Sequence, residues 1–333
     1  MNFSISWLSQ YYTKIITLYK KKKLHPIILL QSTYDIGIQK LVYEISTFFL
    51  CLKKKKMYYC NKCTSCYLMK LKIHPDFYDI KDKNKKKIGI DLIRNVILKI
   101  YTTAQQGNKK ILWFSNILNL THEASNTLLK TCEEPPKNTF FFLYTNNSQH
   151  MISTLRSRAI FYNLSVPTEK EGILWLKKKN IKKKISLNLI QTSLRLYNYS
   201  PFSANFFLNN VLFSQRIKII NIFKNYYINR KYLILINAFK YINNPDLIFW
   251  ICFLILDAIK LLSKKKINIQ NLDQISFLKK FSKEYSYQIL NKMLFSWLKC
   301  NFCLCNILGI DKEILIIEQV LYTTILLKKN LEN

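Results

Sequence analysis

Short apolar runs alternate with helical patterns in the first half of the chain. The runs with the pattern of buried strands are Ile27–Leu30, Phe77–Ile80, Lys110–Phe114 and Thr139–Tyr144. Between them, Ile38–Leu50 and Asp91–Tyr101 carry apolar residues at helical spacing, and Asp91 suits the start of a helix. Strands that alternate with helices are typical of a parallel sheet covered by helices. We therefore predict an α/β domain over residues 1–165.

A change to helical periodicity marks the second half of the chain. Thr121 can cap a helix that reaches about Cys132, and Pro135-Pro136 ends it. From Pro167 onward nearly all apolar positions follow helical spacing, with Ser200-Pro201 as the best internal break. The predicted fold class is therefore α/β followed by all-α, with a small helical domain over residues 166–208 and a longer one over residues 209–333.

No segment has the pattern of a signal peptide or a membrane span. Met1–Gln10 mixes Asn, Ser and Gln without a long apolar stretch. Leu247–Leu256 is an uninterrupted apolar run, but it is far shorter than the roughly 20 residues that span a bilayer, so we predict a buried helix. Nine cysteines without a secretory signal indicate a reducing compartment. We expect a cytoplasmic protein.

The positive charge suggests an acidic partner but has a second explanation. The chain carries 52 Lys+Arg against 19 Asp+Glu, a net charge of +33, which by itself favours nucleic-acid binding. However, Lys, Asn, Ile, Tyr and Phe are abundant throughout, and Gly is scarce at 5 residues. The favoured residues share A/T-rich codons, so an A/T-biased genome would produce the same excess. We take that bias as the main source of the charge.

Four cysteines have the spacing of a structural metal site. Cys60, Cys63 and Cys66 follow one another with two residues between each pair, and Cys51 precedes them in the same loop. Thiolates at this spacing can wrap a zinc ion tetrahedrally through a tight turn. We predict structural zinc on Cys51, Cys60, Cys63 and Cys66, within a module over residues 51–66. Because protein ligands fill all four positions, no catalytic metal site is implied.

Other interpretations of the cysteines remain open at this point. An iron–sulfur cluster would need a fourth Cys where Lys70 stands. His74 could replace Cys51 as a ligand, and the thiols could also be unligated. The remaining cysteines lie in apolar or helical stretches and are predicted to be small core residues: Cys132, Cys252, Cys300, Cys303 and Cys305.

Five motifs occur in an order that resembles a known family. They are the cysteine cluster, His74-Pro75-Asp76, Ile90–Arg94, Asn126–Pro136 and Leu155–Arg158. Together they resemble the delta-prime subunits of the bacterial DNA polymerase III clamp loader, relatives of the AAA+ ATPases. The resemblance implies a RecA-like domain with an inserted zinc loop, a small helical lid and a C-terminal helical collar. It also implies gamma/tau and delta as partners, with the sliding clamp and primed DNA reached through the complex.

The residues that hydrolysing relatives need for ATP are missing from the matching positions. A phosphate loop requires a Lys and then a Ser or Thr after its last glycine. Here Ser32 begins the matching stretch, and Gly37 is followed by Ile38 and Gln39. Lys40 is displaced along the helix, and Asp35 would bring negative charge beside a phosphate.

Residues at two further sites also indicate that the chain does not hydrolyse ATP. Ser115 and Asn116 follow the strand that should deliver acidic residues, and Phe202 stands where active relatives carry an arginine. We therefore predict a subunit that does not hydrolyse ATP, within a holoenzyme that is a DNA-directed DNA polymerase.

Arg158 is the predicted catalytic contribution of this chain. In the family that it resembles, a Ser-Arg-Cys motif supplies an arginine finger to the ATP site of the adjacent gamma/tau subunit. Ser157 and Arg158 are present, whereas Ala159 replaces the cysteine. The alternatives are an ordinary surface salt bridge for Arg158, or a finger at Arg156.

Two other functions are compatible with parts of the sequence. One is an active AAA+ ATPase with a diverged nucleotide loop, which Ile38 and Asn116 disfavour. The other is a zinc-ribbon protein that binds nucleic acid through its positive charge. The cysteine-rich loop lacks the interleaved aromatic residues of a stacking platform, so this is the weaker fit.

Overall fold

The structure is a computed structural model that describes residues 5–81, 87–146, 153–180, 185–229, 246–263, 268–307, 309 and 311–329. The chain divides into two compact units, residues 1–171 and residues 172–333.

A parallel five-stranded sheet forms the centre of the first unit. Its strands are β1 (Ile27–Gln31), β2 (Phe77–Ile80), β3 (Lys110–Phe114), β4 (Thr139–Thr145) and β5 (Ile160–Asn163). They lie in the order β2-β3-β4-β1-β5, and every neighbouring pair is parallel. The four predicted strands are confirmed. β5, the edge strand opposite β2, was not predicted.

Helices cover this sheet and connect its strands. They are α1 (Ser9–Lys20), α2 (Ile38–Leu50), α3 (Thr64–Leu71), α4 (Ile90–Tyr101), α5 (His122–Glu133) and α6 (Ser153–Ser157). The Thr121 hydroxyl caps α5 by accepting the Ala124 amide at 3.3 Å, as predicted. Asp91 lies in the first turn of α4, as predicted, and Gly89 occupies the cap position without a side-chain bond.

The core of the first unit lies between the sheet and helices α4 and α5. Leu29 of β1, Leu112 of β3 and Phe141 of β4 pack in one buried cluster with Ile93 of α4 and Leu128 of α5. Burying these side chains removes apolar surface from water, which is the main stabilising contribution for such a layer. It fixes the loops at the two ends of the strands, where the candidate site residues lie.

The second unit is helical throughout its described residues. Its helices are α7 (Glu169–Lys179, which begins in the first unit), α8 (Leu187–Leu196), α9 (Pro201–Asn209), α10 (Val211–Asn229), α11 (Asp246–Leu262), α12 (Ile275–Glu284), α13 (Tyr287–Asn306) and α14 (Lys312–Lys329). Trp250, Ile251 and Ile255 of α11 are buried, which confirms the predicted buried helix. No helix in the described part of the chain is both long enough and apolar enough to span a membrane.

A buried ion pair connects several helices of the second unit. Arg216 of α10 is fully buried, and its Nη1 donates to Asp273 Oδ2 at 2.7 Å. Burial opposes ionisation of Asp273, but the hydrogen bonds and charge of Arg216 lower its pKa overall. Thr192 of α8 also donates to this carboxylate at 3.2 Å. The division into a lid over 166–208 and a collar over 209–333 stays a prediction.

Candidate functional site

The four predicted cysteines converge after helix α2 and at the start of helix α3. Their Sγ atoms all lie within 4.8 Å of one another, with 3.6 Å between Cys51 and Cys60 and 3.9 Å between Cys60 and Cys66. A tetrahedral zinc site with Zn–S bonds of about 2.3 Å places its sulfurs about 3.8 Å apart. The cluster therefore fits a tetrahedral metal, and the described residues contain no other such group.

Backbone amides prepare part of this cluster for the thiolate form. The Cys60 sulfur accepts hydrogen bonds from the Lys62 and Cys63 amides at 3.5 and 3.3 Å, and these bonds lower the pKa of Cys60 to about 6. The Cys63 sulfur caps α3 by accepting the Cys66 amide at 3.4 Å. Burial raises the pKa values of Cys51 and Cys66. Those two thiols would need the charge of a metal ion to deprotonate at neutral pH.

His74 supports the cluster but does not join it. Its Nδ1 accepts the Asp76 amide at 3.1 Å, and its Nε2 lies 2.9 Å from the Ser65 hydroxyl. Because Nδ1 accepts, Nε2 carries the proton and donates to Ser65, whose hydroxyl donates in turn to the Leu50 carbonyl at 2.8 Å. These contacts disfavour the alternative in which His74 replaces Cys51 as a ligand, because both ring nitrogens have other partners and the close group contains Cys51. Burial lowers the pKa of His74, in keeping with a neutral ring.

Asp76 of the His-Pro-Asp motif connects the start of β2 to the loop after α4. Its buried carboxylate accepts the amides of Gln105 at 2.9 Å and Gln106 at 2.6 Å. The motif thus ties the segment before β2 to α3, to the end of α2 and to the loop after α4. Sequence reasoning missed Ser65, since a serine inside a helix gives no signal of a distant histidine partner.

The segment predicted to be a degenerate phosphate loop joins β1 to α2, and groups of the segment itself bond to its polar atoms. Gly37 has a left-handed φ of 92° directly before α2. Its amide donates to Asp35 Oδ1 at 3.1 Å, so a carboxylate of the chain takes a donor that a phosphate would use. The Ser32 hydroxyl bonds the Tyr34 carbonyl at 2.9 Å. Ile38, at the position of the missing lysine, is only 3% exposed.

The other nucleotide-site positions also have internal partners. Trp7 Nε1 donates to the Ile36 carbonyl of the same loop at 3.0 Å. After β3, the Asn116 side chain accepts the Leu118 amide at 3.1 Å. Phe202 packs on Trp175 with ring centroids 4.8 Å apart. Gln39, at the position of the missing hydroxyl, is exposed at the start of α2.

Arg158 lies at the opposite end of the strands from this loop. It follows α6 and precedes β5, which runs parallel to β1, whereas the loop of Gly37 follows β1. Its Nη1 donates to the Thr154 carbonyl at 3.0 Å, and its Nη2 forms an ion pair with Glu133 at 2.9 Å. The Arg158 and Glu133 side chains are 36% and 51% exposed. The guanidinium is therefore accessible, and it lies apart from the chain's own loop.

Arg156 has a different environment. Its guanidinium carbon lies 5.4 Å from the centroid of the Phe161 ring, which is the geometry of a cation–π contact.

The remaining cysteines do not all behave as predicted. Cys132, Cys252 and Cys300 are buried, which confirms their core role. Cys303 is half-buried, and Cys305 is exposed near the end of α13, so the prediction of a core role for Cys305 is wrong. Five residues along a helix turn a side chain by about 140°, so Cys305 leaves the buried face on which Cys300 lies.

A parallel five-stranded sheet, a four-cysteine cluster and a helical second unit define the class: an α/β protein with a C-terminal helical region. Comparison with known proteins identifies the family. The family model described as DNA polymerase III, delta subunit, matches residues 7–168, and the model of its C-terminal part matches residues 211–324. The chain belongs to the delta' subunits of DNA polymerase III, the clamp-loader family.

Two delta' subunits are similar in sequence to this chain over nearly the whole length of both proteins. The DNA polymerase III subunit delta' of Buchnera aphidicola subsp. Schizaphis graminum is 39% identical over 95% of this chain and 95% of its own. The Escherichia coli subunit delta' is 28% identical over 95% of this chain and 93% of its own. A solved Thermotoga maritima protein related to the DNA polymerase III gamma subunit aligns over 98% of this chain and all of its own, with 14% identity and a TM-score of 0.46.

Proposed function

We propose that this chain is a non-hydrolysing subunit of the replicative clamp loader, which donates Arg158 to the ATP site of a neighbouring gamma/tau subunit. It would brace a ring with gamma/tau and delta while the sliding clamp is placed on primed DNA in the cytoplasm. The observation that carries the proposal is the contrast between the two ends of one sheet. At one end the Asp35 carboxylate takes the Gly37 amide, and at the other Arg158 stays accessible.

The chemistry of the donated arginine follows from its geometry. A guanidinium presents a fixed fork of donors that can stabilise the charge spreading over a transferred phosphate. To act, Arg158 must exchange Glu133 for that phosphate. Because both side chains are partly exposed, the ion pair is worth only about 0–1 kcal/mol and is easily replaced. A finger of this kind contributes roughly 10³–10⁵ in rate.

The proposed metal is structural zinc held by Cys51, Cys60, Cys63 and Cys66. The support is the set of mutual sulfur distances, which fits a closed tetrahedral site. When bound, the ion supplies folding free energy to a loop that contributes few apolar side chains of its own. Residues His74 and Ser65 then hold the metal loop against the end of α2.

Two alternatives make different predictions. An active, diverged ATPase would bind magnesium-ATP tightly as an isolated chain, but Asp35 and the buried Ile38 oppose phosphate at that loop. A zinc-ribbon nucleic-acid-binding protein would act on DNA without clamp-loader partners, so adding it to gamma/tau and delta would leave their ATP turnover unchanged. The accessible Arg158 and the match to the delta' family favour the proposed function over both.

Reconstitution with gamma/tau and delta tests the proposal. ATP turnover is measured with clamp and primed DNA for the wild type, Arg158→Ala, Arg158→Lys and, as the matched control, Arg156→Ala. We expect Arg158→Ala to abolish turnover at one site while the complex still assembles, and Arg158→Lys to recover only a small part. Equal turnover of Arg158→Ala and wild type would refute the finger. A selective loss in Arg156→Ala would transfer the role to that residue.

A further inference from the structure

Two lysines meet at one tyrosine near the amino ends of the strands. The Tyr19 hydroxyl accepts a hydrogen bond from Lys54 Nζ at 3.2 Å and a second one from Lys109 Nζ. The Lys109 ammonium also lies 4.1 Å from the centroid of the Tyr19 ring. Since both ammonium groups contact the same oxygen, one tetrahedral oxyanion could contact both of them.

No carboxylate among the described residues pairs with these two lysines; burial lowers the pKa of Lys54, and the nearby Cys51 thiol, when charged, opposes that effect. Neither Lys54 nor Lys109 takes part in a described ion pair. Burial lowers the pKa of Lys109 to about 8, and the charged group that adds to this effect is Lys54, another cation. Asp76, the nearby carboxylate, influences Lys110 and already accepts two backbone amides. The tyrosine ring attracts cations but does not neutralise them.

A polar cleft of about 260 Å³ adjoins Lys109. It lies at the amino ends of β3 and β4, and the residues that line it include Thr102, Thr103, Asn108, Lys137, Asn138 and Thr139. Buried Lys110 lies in the same wall, but its ammonium already donates to the Lys99 carbonyl, to the Thr102 carbonyl at 2.6 Å and to the Thr102 hydroxyl at 2.9 Å, so Lys109 and Lys137 supply the ammonium donors that remain for a ligand. Ammonium, hydroxyl and amide donors around one cleft are suited to phosphate oxygens.

The cysteine loop positions one of the two lysines. Lys54 belongs to the segment between Cys51 and Cys60, so folding of the loop sets its place. Two tyrosines hold that segment: Tyr12 donates to the Met57 carbonyl at 3.0 Å, and Tyr59 donates to Glu44 at 2.7 Å. A metal on the four thiols would close the loop from the other side.

We propose that Lys54 and Lys109 bind a phosphate group of a nucleic-acid backbone, and that the folded cysteine loop holds Lys54 in place for this contact. The inference rests on the metal module of the proposed function and is independent of Arg158. It gives the metal a role beyond local stability, because the ion orders a side chain that contacts the ligand.

The test measures binding of the full-length chain to a fluorescent single-stranded oligothymidylate across a series of salt concentrations. The variants are Lys54→Gln, Lys109→Gln and Lys109→Arg. The control is Lys70→Gln, which removes the same charge from an exposed side chain of α3. Removing one phosphate-binding lysine should reduce the slope of log affinity against log salt by about 0.7 in magnitude. Lys54→Gln and Lys109→Gln should show this reduction, whereas Lys109→Arg and Lys70→Gln should retain the slope.

Equal effects of Lys54→Gln and Lys70→Gln would overturn the site and leave only a general charge effect. Binding of inorganic phosphate without oligonucleotide binding would overturn the nucleic-acid ligand and identify a small anion in its place. Thermal unfolding of each variant separates impaired binding from impaired folding.

A chelation arm tests the part played by the loop. Metal removal should weaken oligonucleotide binding of the wild type about as much as the Lys54→Gln substitution does. In the Lys54→Gln variant, metal removal should cause little further loss of binding. If purified wild type contains no zinc, the metal proposal fails while the lysine variants still test the site. If chelation weakened oligonucleotide binding of Lys54→Gln as much as it weakens that of the wild type, the role assigned to the loop would be contradicted.

Discussion

At the scale of single residues, Glu133 is the ion-pair partner that Arg158 would have to leave in order to act as the proposed finger. Their ion pair joins the end of α5 to the residue after α6, and both side chains are partly exposed. Glu133→Gln should change the free energy of unfolding by less than about 1 kcal/mol, since exposed pairs contribute little. In the reconstituted complex this variant should keep or raise ATP turnover, because Arg158 loses a competing partner.

Urea unfolding and steady-state ATP turnover of the complex check both parts. A fall in turnover comparable to that of Arg158→Ala would show instead that Glu133 is needed to orient the arginine.

His74 makes the stability of the first unit depend on pH. Burial lowers its pKa in the folded state below the unfolded value of about 6.5, so the unfolded chain binds the proton more readily. Stability is therefore complete above about pH 6.5 and is lost as the pH falls toward the folded pKa. His74→Gln, which can still donate to Ser65, should remove this part of the pH dependence.

The measurement is urea unfolding of both proteins between about pH 7.5 and 5.5. The wild type should lose more stability over this interval than His74→Gln, by up to about 1.4 kcal/mol per pH unit. Parallel pH profiles would contradict a buried neutral His74.

At the scale of elements, we expect the cysteine loop to depend on the proposed metal more than the sheet does. The loop lies between α2 and α3 and contributes few apolar residues, whereas the strands are buried between layers of helices. Cys60→Ser should reduce bound zinc to below one ion per chain and raise hydrogen exchange around residues 51–73, while the sheet stays protected. Cys305→Ser is the matched control, because Cys305 is exposed and lies outside the cluster.

Metal analysis and hydrogen exchange of the two variants provide the readout. Full zinc content in Cys60→Ser would exclude Cys60 as a ligand, and equal zinc loss in both variants would exclude a specific site.

Elements with a strong sequence signal were predicted well. β1, β3 and β4 carry apolar runs because both faces of a parallel sheet are covered, and the four cysteines have the spacing of a closed metal site. β2 and β5 are the two edge strands, each with one buried side chain; β2 was predicted, whereas β5 and α1 were missed. The cysteine spacing gives no information about the hydrogen bond between His74 and Ser65, because Ser65 lies in a different element, helix α3.

Contacts between residues far apart in the sequence could not be predicted, because the fold decides which segments meet. The bond from the Gly37 amide to Asp35 is local and could be anticipated from a short Asp-x-Gly turn. The meeting of Lys54 and Lys109 at Tyr19 requires three separate segments to be placed by the fold. Exposure of Cys305 likewise follows from which face of α13 packs, and spacing alone does not determine that face.

At the scale of the whole molecule, the proposed function assigns different roles to the two ends of one sheet. At one end, in the loop between β1 and α2, the Asp35 carboxylate accepts the Gly37 amide, and Ile38 stands where a phosphate loop would carry its lysine. The accessible arginine lies at the other end of the same sheet. This arrangement favours action on a nucleotide that a different subunit holds.

The most direct measurement is single-turnover ATP hydrolysis by a complex in which only the adjacent gamma/tau site can hydrolyse. With the wild-type chain, that site should hydrolyse ATP at its full rate on addition of clamp and primed DNA. With Arg158→Ala the rate should fall by roughly 10³–10⁵, while nucleotide binding and assembly are retained. An unchanged rate in the Arg158→Ala complex would contradict the account.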